Sequence, residues 1–324
     1  MSAAAESTVS IVLFYALMAA ALPVGAIFVF VALKKSPAAL RSYRNHLLNI
    51  SFWFTVALLI MCALLPVIDD SSQNQPEICF RLLGIVNLMN LDAVFALGIL
   101  LLMATFSVFF AMLAASFYRY VTLASPRLYE LFRWPYDFVS CIVWQIVGAT
   151  VGGTVTYVIM KHSFIGSTEN VFVFCFDVQS DPIFVVFYCL LKLCLLVFSA
   201  CEITFMILSI RALRRHRLSM SAKCYRLQML LTVNLVLFTT MPLLFEVIPL
   251  VFGCAAILLK ICKLSTALSL AFHVPFLELL LSWCMTLGFV TPYRRYLREL
   301  LTRASCRRIT TVVDLSIESS YSNS

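Results

Sequence analysis

Lys192, Glu202, Glu246 and Glu278 are charged side chains inside stretches that are otherwise apolar. Arg119 closes a run of 26 uncharged residues and is flanked by aromatic rings, in the order Phe117-Tyr118-Arg119-Tyr120. Charge in such surroundings is expensive and marks a binding, relay or coupling group by default. An ammonium and a carboxylate in one apolar layer can pair, pass a proton or ion along, or hold a charged ligand. Lys192 and Glu202 are ten positions apart, on different faces of one helix, so they pair poorly, and Glu278 either pairs with Lys192 or stays protonated. Hydrolytic and metal chemistry lack their residues. There is no HExxH, no GxSxG, no CxxC pair and no cysteine–histidine cluster at zinc spacing. No catalytic residue, metal or cofactor is expected.

What positions these groups is lipid. Of 324 residues, 62% are hydrophobic and 12% charged, against roughly a quarter charged in a soluble domain. A span needs about 20 apolar residues to cross a hydrocarbon core about 30 Å thick. Seven segments qualify: 9–33, 47–68, 93–118, 138–160, 182–210, 227–253 and 264–290. Backbone groups in lipid must be satisfied within each segment, so the expected fold is an all-α membrane protein, a seven-helix bundle. The first run is too long for the core of a cleaved signal peptide and reads as a signal anchor. Residues 1–8 precede the bundle. Residues 291–308 are expected to form a short amphipathic helix, with Tyr293, Tyr296, Leu297, Leu300 and Leu301 on one face. The polar tail 309–324 reads as disordered.

Nineteen of the 24 lysines and arginines fall in the connections and tail on one side of these spans, and four on the other. The positive-inside rule then puts the N-terminus outside and the C-terminus inside. The net charge of +8 is a cytoplasmic face meeting anionic lipid and protein partners, and no nucleic-acid partner is expected. Counted along their helices, Lys192 and Glu278 lie near mid-membrane, whereas Asp92 and Glu246 lie near the outer surface. Asp92 and Glu246 read equally as solvated helix ends. Pro242 removes a backbone hydrogen bond in the sixth span and kinks it, as a static bend or as a hinge for its inner end.

Seven spans with an arginine closing the third resemble a G-protein-coupled receptor. Three stretches narrow the likeness to the nematode serpentine chemoreceptors, the set that includes classes d, h, i and str. Phe117-Tyr118-Arg119-Tyr120 resembles their Tyr-Arg-Tyr form of the receptor arginine motif. Residues 221–228 (Ser-Ala-Lys-Cys-Tyr-Arg-Leu-Gln), followed by Pro242 and Pro249, resemble their entry into the sixth span. Thr291-Pro292-Tyr293-Arg294 resembles the Pro-Tyr-Arg that ends their seventh span, with His273 where classes h and i often place a histidine. Three features of rhodopsin-type receptors are missing: an aspartate in the second span, Asn-Pro-x-x-Tyr in the seventh, and a seventh-span lysine for retinal.

The resemblance implies a chemosensory receptor in the plasma membrane, in sensory cilia. It would take a small odorant- or pheromone-like ligand and activate a heterotrimeric G protein. Tyr118, Arg119 and Tyr120 would carry the coupling, although Arg119 alone reads as well as a positive-inside anchor reaching for phosphates. Tyr118 cannot supply the carboxylate that restrains this arginine in many related receptors, so the resting restraint must differ. Candidate ligand residues are Asp92, Tyr188, Lys192, Glu246 and His273, the last also readable as an interhelical histidine. Cys79 and Cys175 both fall outside and are expected to form a disulfide, with two free thiols as the alternative. The forty residues from Cys79 to Arg119 would extend about 60 Å as one helix, so Cys79 must sit in a loop that folds back, with a short helix over 78–90. Cys306 is a palmitoylation candidate, and the serines and threonines of the tail could recruit an arrestin-like protein once phosphorylated. The alternative to a receptor is a channel or transporter using Lys192, Glu202 and Glu278 as a relay, without the internal repeats of the usual transporter plan.

Overall fold

A helix that is apolar on every face has no side to offer water, so it goes to the centre of a bundle or into lipid. The computed structural model describes residues 3–36, 41–69, 77–124, 130, 136–161, 164–168, 171–177, 182–242, 244, 273–300 and 302. In chain order these form α1 (Ala3–Lys35), α2 (Arg41–Leu64), β1 (Pro66–Asp69), β2 (Glu77–Leu82), α3 (Leu91–Ala124) and α4 (Tyr136–Lys161). There follow β3 (Phe164–Thr168), β4 (Val171–Asp177), α5 (Pro182–Arg215), α6 (Ala222–Pro242) and α7 (Val274–Phe289). A last helix, α8 (Thr291–Leu300), is bent 94° from α7. Six described helices are long and apolar enough to cross a membrane, and the bent pair α7–α8 makes the seventh candidate. The mostly helical chain is a seven-transmembrane bundle.

The helix α3 takes the centre. It packs against α2, α4 and α5 and touches α6. Its side chains are buried almost without a break from Ala104 to Val121. The sequence ends the third span at Tyr118, but the helix continues through Arg119 to Ala124. Close approach of α4 to α3 rests on Gly148 and Gly152, four residues apart on one face. A Cβ on Gly152 would stand 2.7 Å from Met103 Cα, and one on Gly148 would stand 3.2 Å from Ser107 Cα. Small residues at this spacing let backbones meet where lipid supplies no hydrophobic drive between helices. The other face of α4 is bare, with Phe138 at 60% and Ile146 at 60% exposure, which suits acyl chains rather than water.

Polar side chains join the remaining helices across the core. Asn234 Nδ2 on α6 donates to Tyr43 Oη of α2 at 2.9 Å and to Thr286 Oγ1 of α7 at 3.4 Å. Trp283 Nε1 on α7 donates to Ser51 Oγ of α2 at 3.1 Å. Tyr293 at the start of α8 is wholly buried and shares a hydrogen with Ser36 Oγ just past α1. Arg294, Arg295 and Arg298 face outward on the same helix.

At the end opposite the arginine-rich connections, the described loop segments form a four-stranded antiparallel sheet in the order β1-β2-β4-β3. The short helix expected over 78–90 is therefore replaced by the strand β2 and a single 3₁₀ turn, Ile85–Leu88. The reason is long-range. The segment Val-Phe-Val-Phe-Cys-Phe-Asp of β4 is β-branched and aromatic, and it offers six paired positions that an isolated helix would forgo. The sheet is fixed to the bundle where Leu83 N and Gly84 N donate to Leu65 O and Leu64 O, at 3.1 and 3.2 Å. Leu65 sits at φ 46°, a left-handed cap on α2. A Cβ on Gly84 would lie 1.9 Å from Ala63 O, so only glycine permits this docking.

Gly84→Ala and Gly152→Ala are each expected to destabilise the protein by about 1–3 kcal/mol, the cost of overpacking. Gly153→Ala, whose Cβ would meet only Met103 side-chain atoms at 3.9 Å, should be neutral or mildly stabilising. Thermal unfolding of the detergent-solubilised variants checks this order.

Candidate functional site

The C-terminal third of α3 presents four consecutive residues that reach three different neighbours. Phe117 and Tyr120 turn to α5, where their rings lie 5.3 and 6.0 Å from that of Phe205. The ring of Tyr118 lies 4.7 Å from that of His46 on α2. Cys141 Sγ on α4 is 3.5 Å from His46 Nδ1, so α2 and α4 meet behind the tyrosine. Arg119 reaches α6. Its Nε and Nη2 donate to Thr232 Oγ1 at 3.1 and 2.9 Å, and Nη2 also donates to the Gln228 carbonyl at 2.6 Å.

Local helix chemistry prepares that acceptor. Gln228 and Thr232 are four residues apart and share one face of α6. Thr232 Oγ1 gives its own hydrogen to Gln228 O at 2.9 Å, as a mid-helix threonine commonly does, which leaves its lone pairs for an incoming donor. Arg119 is only 6% exposed, so the guanidinium is not reaching for lipid phosphates. All three of its hydrogen bonds go to neutral oxygens. Hydrogen bonds to a charged donor contribute about 1.5–3 kcal/mol each, but removing the charge from water costs several kcal/mol. With no carboxylate among its hydrogen-bond partners in the described residues, the link lacks the Coulomb attraction of an ion pair.

Of the other sequence candidates, those with described side chains do not gather around this arginine. Asp92 is exposed in the first turn of α3, where a carboxylate complements the helix dipole. His273 is buried at the N-cap of α7, its ring 4.3 Å from Phe14 of α1, an interhelical placement. Glu202 is buried on α5 and Glu278 on α7, a helix that packs against α1, α2 and α6. Tyr188 and Lys192 belong to α5 by backbone, but their side chains lie outside the described residues, and with them the Lys192–Glu278 pairing. Glu246, Cys306, residues 245–272 and the tail lie outside the described residues as well. Pro242 ends α6 at their border. Cys79 is disulfide-bonded, and the residue directly opposite it in the β2–β4 register is Cys175. Sequence reasoning passed over Thr232, the Gln228 carbonyl, Phe205 and the Asn234–Tyr43–Thr286 link. The readable signal was the spacing of polar residues at 228, 232 and 239 along one face of an apolar helix.

No curated protein matches the chain. Residues 5–303 match the family described as serpentine type 7TM GPCR chemoreceptor Srh. That family is not an enzyme class, and it implies a small-molecule ligand and a membrane setting. The match runs through every membrane helix described above, and the chain is a multi-pass membrane protein that belongs to the Srh family of serpentine seven-transmembrane chemoreceptors.

Proposed function

We propose that this receptor sits in the plasma membrane of sensory cilia with its N-terminus outside, binds a small odorant- or pheromone-like molecule, and activates a heterotrimeric G protein. The observation that carries the coupling role is the buried Arg119, bonded across to α6 through Thr232 and Gln228. In this account the bonds hold α3 and α6 together in the resting state. Ligand binding among the outer halves of α3, α5, α6 and α7, near Asp92, Tyr188, Lys192, Glu246 and His273, favours a state in which the inner end of α6 moves away. The freed guanidinium then meets the G protein, with Tyr118 and Tyr120 framing it. Pro242 is the hinge, and the phosphorylated tail is the arrestin-like protein's contact. The orientation rests on the arginine-rich connections.

Thr232→Val keeps the side-chain shape and deletes the acceptor of two of the three bonds. Basal nucleotide exchange on a co-expressed G protein is expected to rise about tenfold, the equivalent of about 1.4 kcal/mol. Arg119→Ala should reach the cell surface normally and reduce exchange to the level of cells lacking the receptor, in the Thr232→Val background too. Unchanged exchange in Arg119→Ala would remove the coupling role.

We also propose Cys175 as the disulfide partner of Cys79. Directly opposed residues of antiparallel strands have Cα atoms about 4.5–5.5 Å apart, within the range a disulfide spans. Cys79→Ser and Cys175→Ser should each lower stability by about 2–5 kcal/mol, and the double variant should be no worse than either. A Cys175→Ser receptor as stable as the parent would count against the pairing.

A further inference from the structure

Positive charge at a membrane edge takes its counter-charge from the leaflet or from another protein, and the helix face it lies on decides between them. Exposed positions on α5 recur at 200, 204, 207, 211, 214 and 215, which is helical spacing along one stripe. The buried residues Glu202, Met206, Ser209 and Leu213 run down the opposite side. In its earlier part the exposed stripe is apolar, with Val197 at 55% and Ile207 at 45% exposure, as suits a face against acyl chains. The stripe then changes character. Arg211, Arg214 and Arg215 continue it within about one turn past Ile210, the last residue of the apolar run. No aspartate or glutamate occurs between residues 203 and 242. Among the described residues, none of these three guanidiniums takes part in a hydrogen bond or ion pair. Behind them, Ala212 and Leu213 are buried with Leu123 of α3, against Tyr225 and Met229 of α6. The three arginines therefore lie away from the α3–α6 contact, on the face that α5 turns to lipid.

We propose that Arg211, Arg214 and Arg215 form a binding site for one phospholipid whose headgroup carries several phosphates, a phosphoinositide of the inner leaflet. A guanidinium donates two parallel hydrogen bonds to a phosphate, a geometry that lysine lacks. Positions three and four apart on a helix hold their Cβ atoms about 5–6 Å from one another, so the three cations repel. One headgroup with several charges in the same small area relieves that repulsion better than singly charged lipids, each of which brings its own acyl chains to the same place. Depth agrees with this occupant. Arg215 lies about 8 Å beyond Ile210 along the helix, at headgroup level, and the exposed Ile203 and Ile207 of the same stripe meet the acyl chains. An acidic protein surface would have to reach the stripe through the leaflet. The nearby Arg217 is placed otherwise, over the Tyr225 ring at 5.9 Å. The site rests on the orientation proposed above and is independent of the coupling scheme.

The test counts lipids on the full-length, detergent-solubilised receptor by native mass spectrometry, with phosphatidylinositol bisphosphate, phosphatidylserine and free inositol trisphosphate as probes. The bisphosphate lipid should bind as a single copy, and phosphatidylserine at matched total headgroup charge about tenfold more weakly. Each arginine at a membrane surface contributes about fivefold, so a protein carrying Arg211→Gln, Arg214→Gln and Arg215→Gln together should bind about a hundredfold more weakly. Arg214→Gln alone should lose about fivefold, which covers the case of a triple variant that folds poorly. Arg294→Gln, Arg295→Gln and Arg298→Gln together remove the same charge from α8 and should leave binding unchanged. Free inositol trisphosphate has no acyl chains for Ile203 and Ile207 and should not displace the lipid at equal concentration. Equal retention of phosphatidylserine, displacement by the free headgroup, an equal loss in the α8 variant, or full binding by the α5 variants would overturn the site. None of these readouts involves nucleotide exchange, so a failure here leaves the coupling role of Arg119 to its own assay.

Discussion

A guanidinium taken out of water must find donors' worth of acceptors nearby, and at Arg119 they come from another helix. The acceptors are a threonine hydroxyl and a backbone carbonyl, four residues apart on α6. Much of the inner half of the bundle is arranged so that this contact can exist. The three flanking aromatics occupy α2 and α5, which leaves the direction of α6 to the arginine. The acceptor helix is itself tied to α2 and α7 through Asn234. Moving α6 therefore strains a connected polar network rather than a single pair.

Burial of α3 makes the arrangement possible. A largely apolar helix of 34 residues can be central only if its neighbours approach closely, and Gly148 and Gly152 of α4 provide a close approach. The outer sheet fixes the other end of the same helix, since Leu64, Leu82, Val86, Val94 and Phe174 form one buried cluster spanning α2, β2, α3 and β4. In the proposed account, with one end pinned and the middle packed, the part that moves is the inner end of α6. A restraint made of hydrogen bonds to neutral oxygens suits that location, because a desolvated charge without a counter-ion is held less firmly than a buried ion pair.

The membrane-length runs and the arginine that closes the third of them were legible in the sequence, because each is a matter of local composition. The uncharged run placed the third span at 93–118, and the helix itself runs on to Ala124, past Arg119, whose Nε and Nη2 find acceptors on α6. The replacement of a helix over 78–90 by strand β2 depended on a partner nearly a hundred residues away, which no local window contains. Thr232 was invisible for a different reason. Threonine is common in membrane helices, and the Gln228 acceptor is a backbone carbonyl with no side-chain signature. That Tyr118 could not serve as an acidic lock was plain; that the restraint would come from a neutral threonine was not.

The central claim is that Arg119 holds the inner end of α6 against α3. Spin labels on the exposed positions Tyr136 of α4 and Arg226 of α6 report that separation by double electron–electron resonance in nanodiscs. The account predicts one short distance in the parent receptor and a second, longer population in Thr232→Val, present without ligand. Identical distance distributions in the two proteins would contradict it.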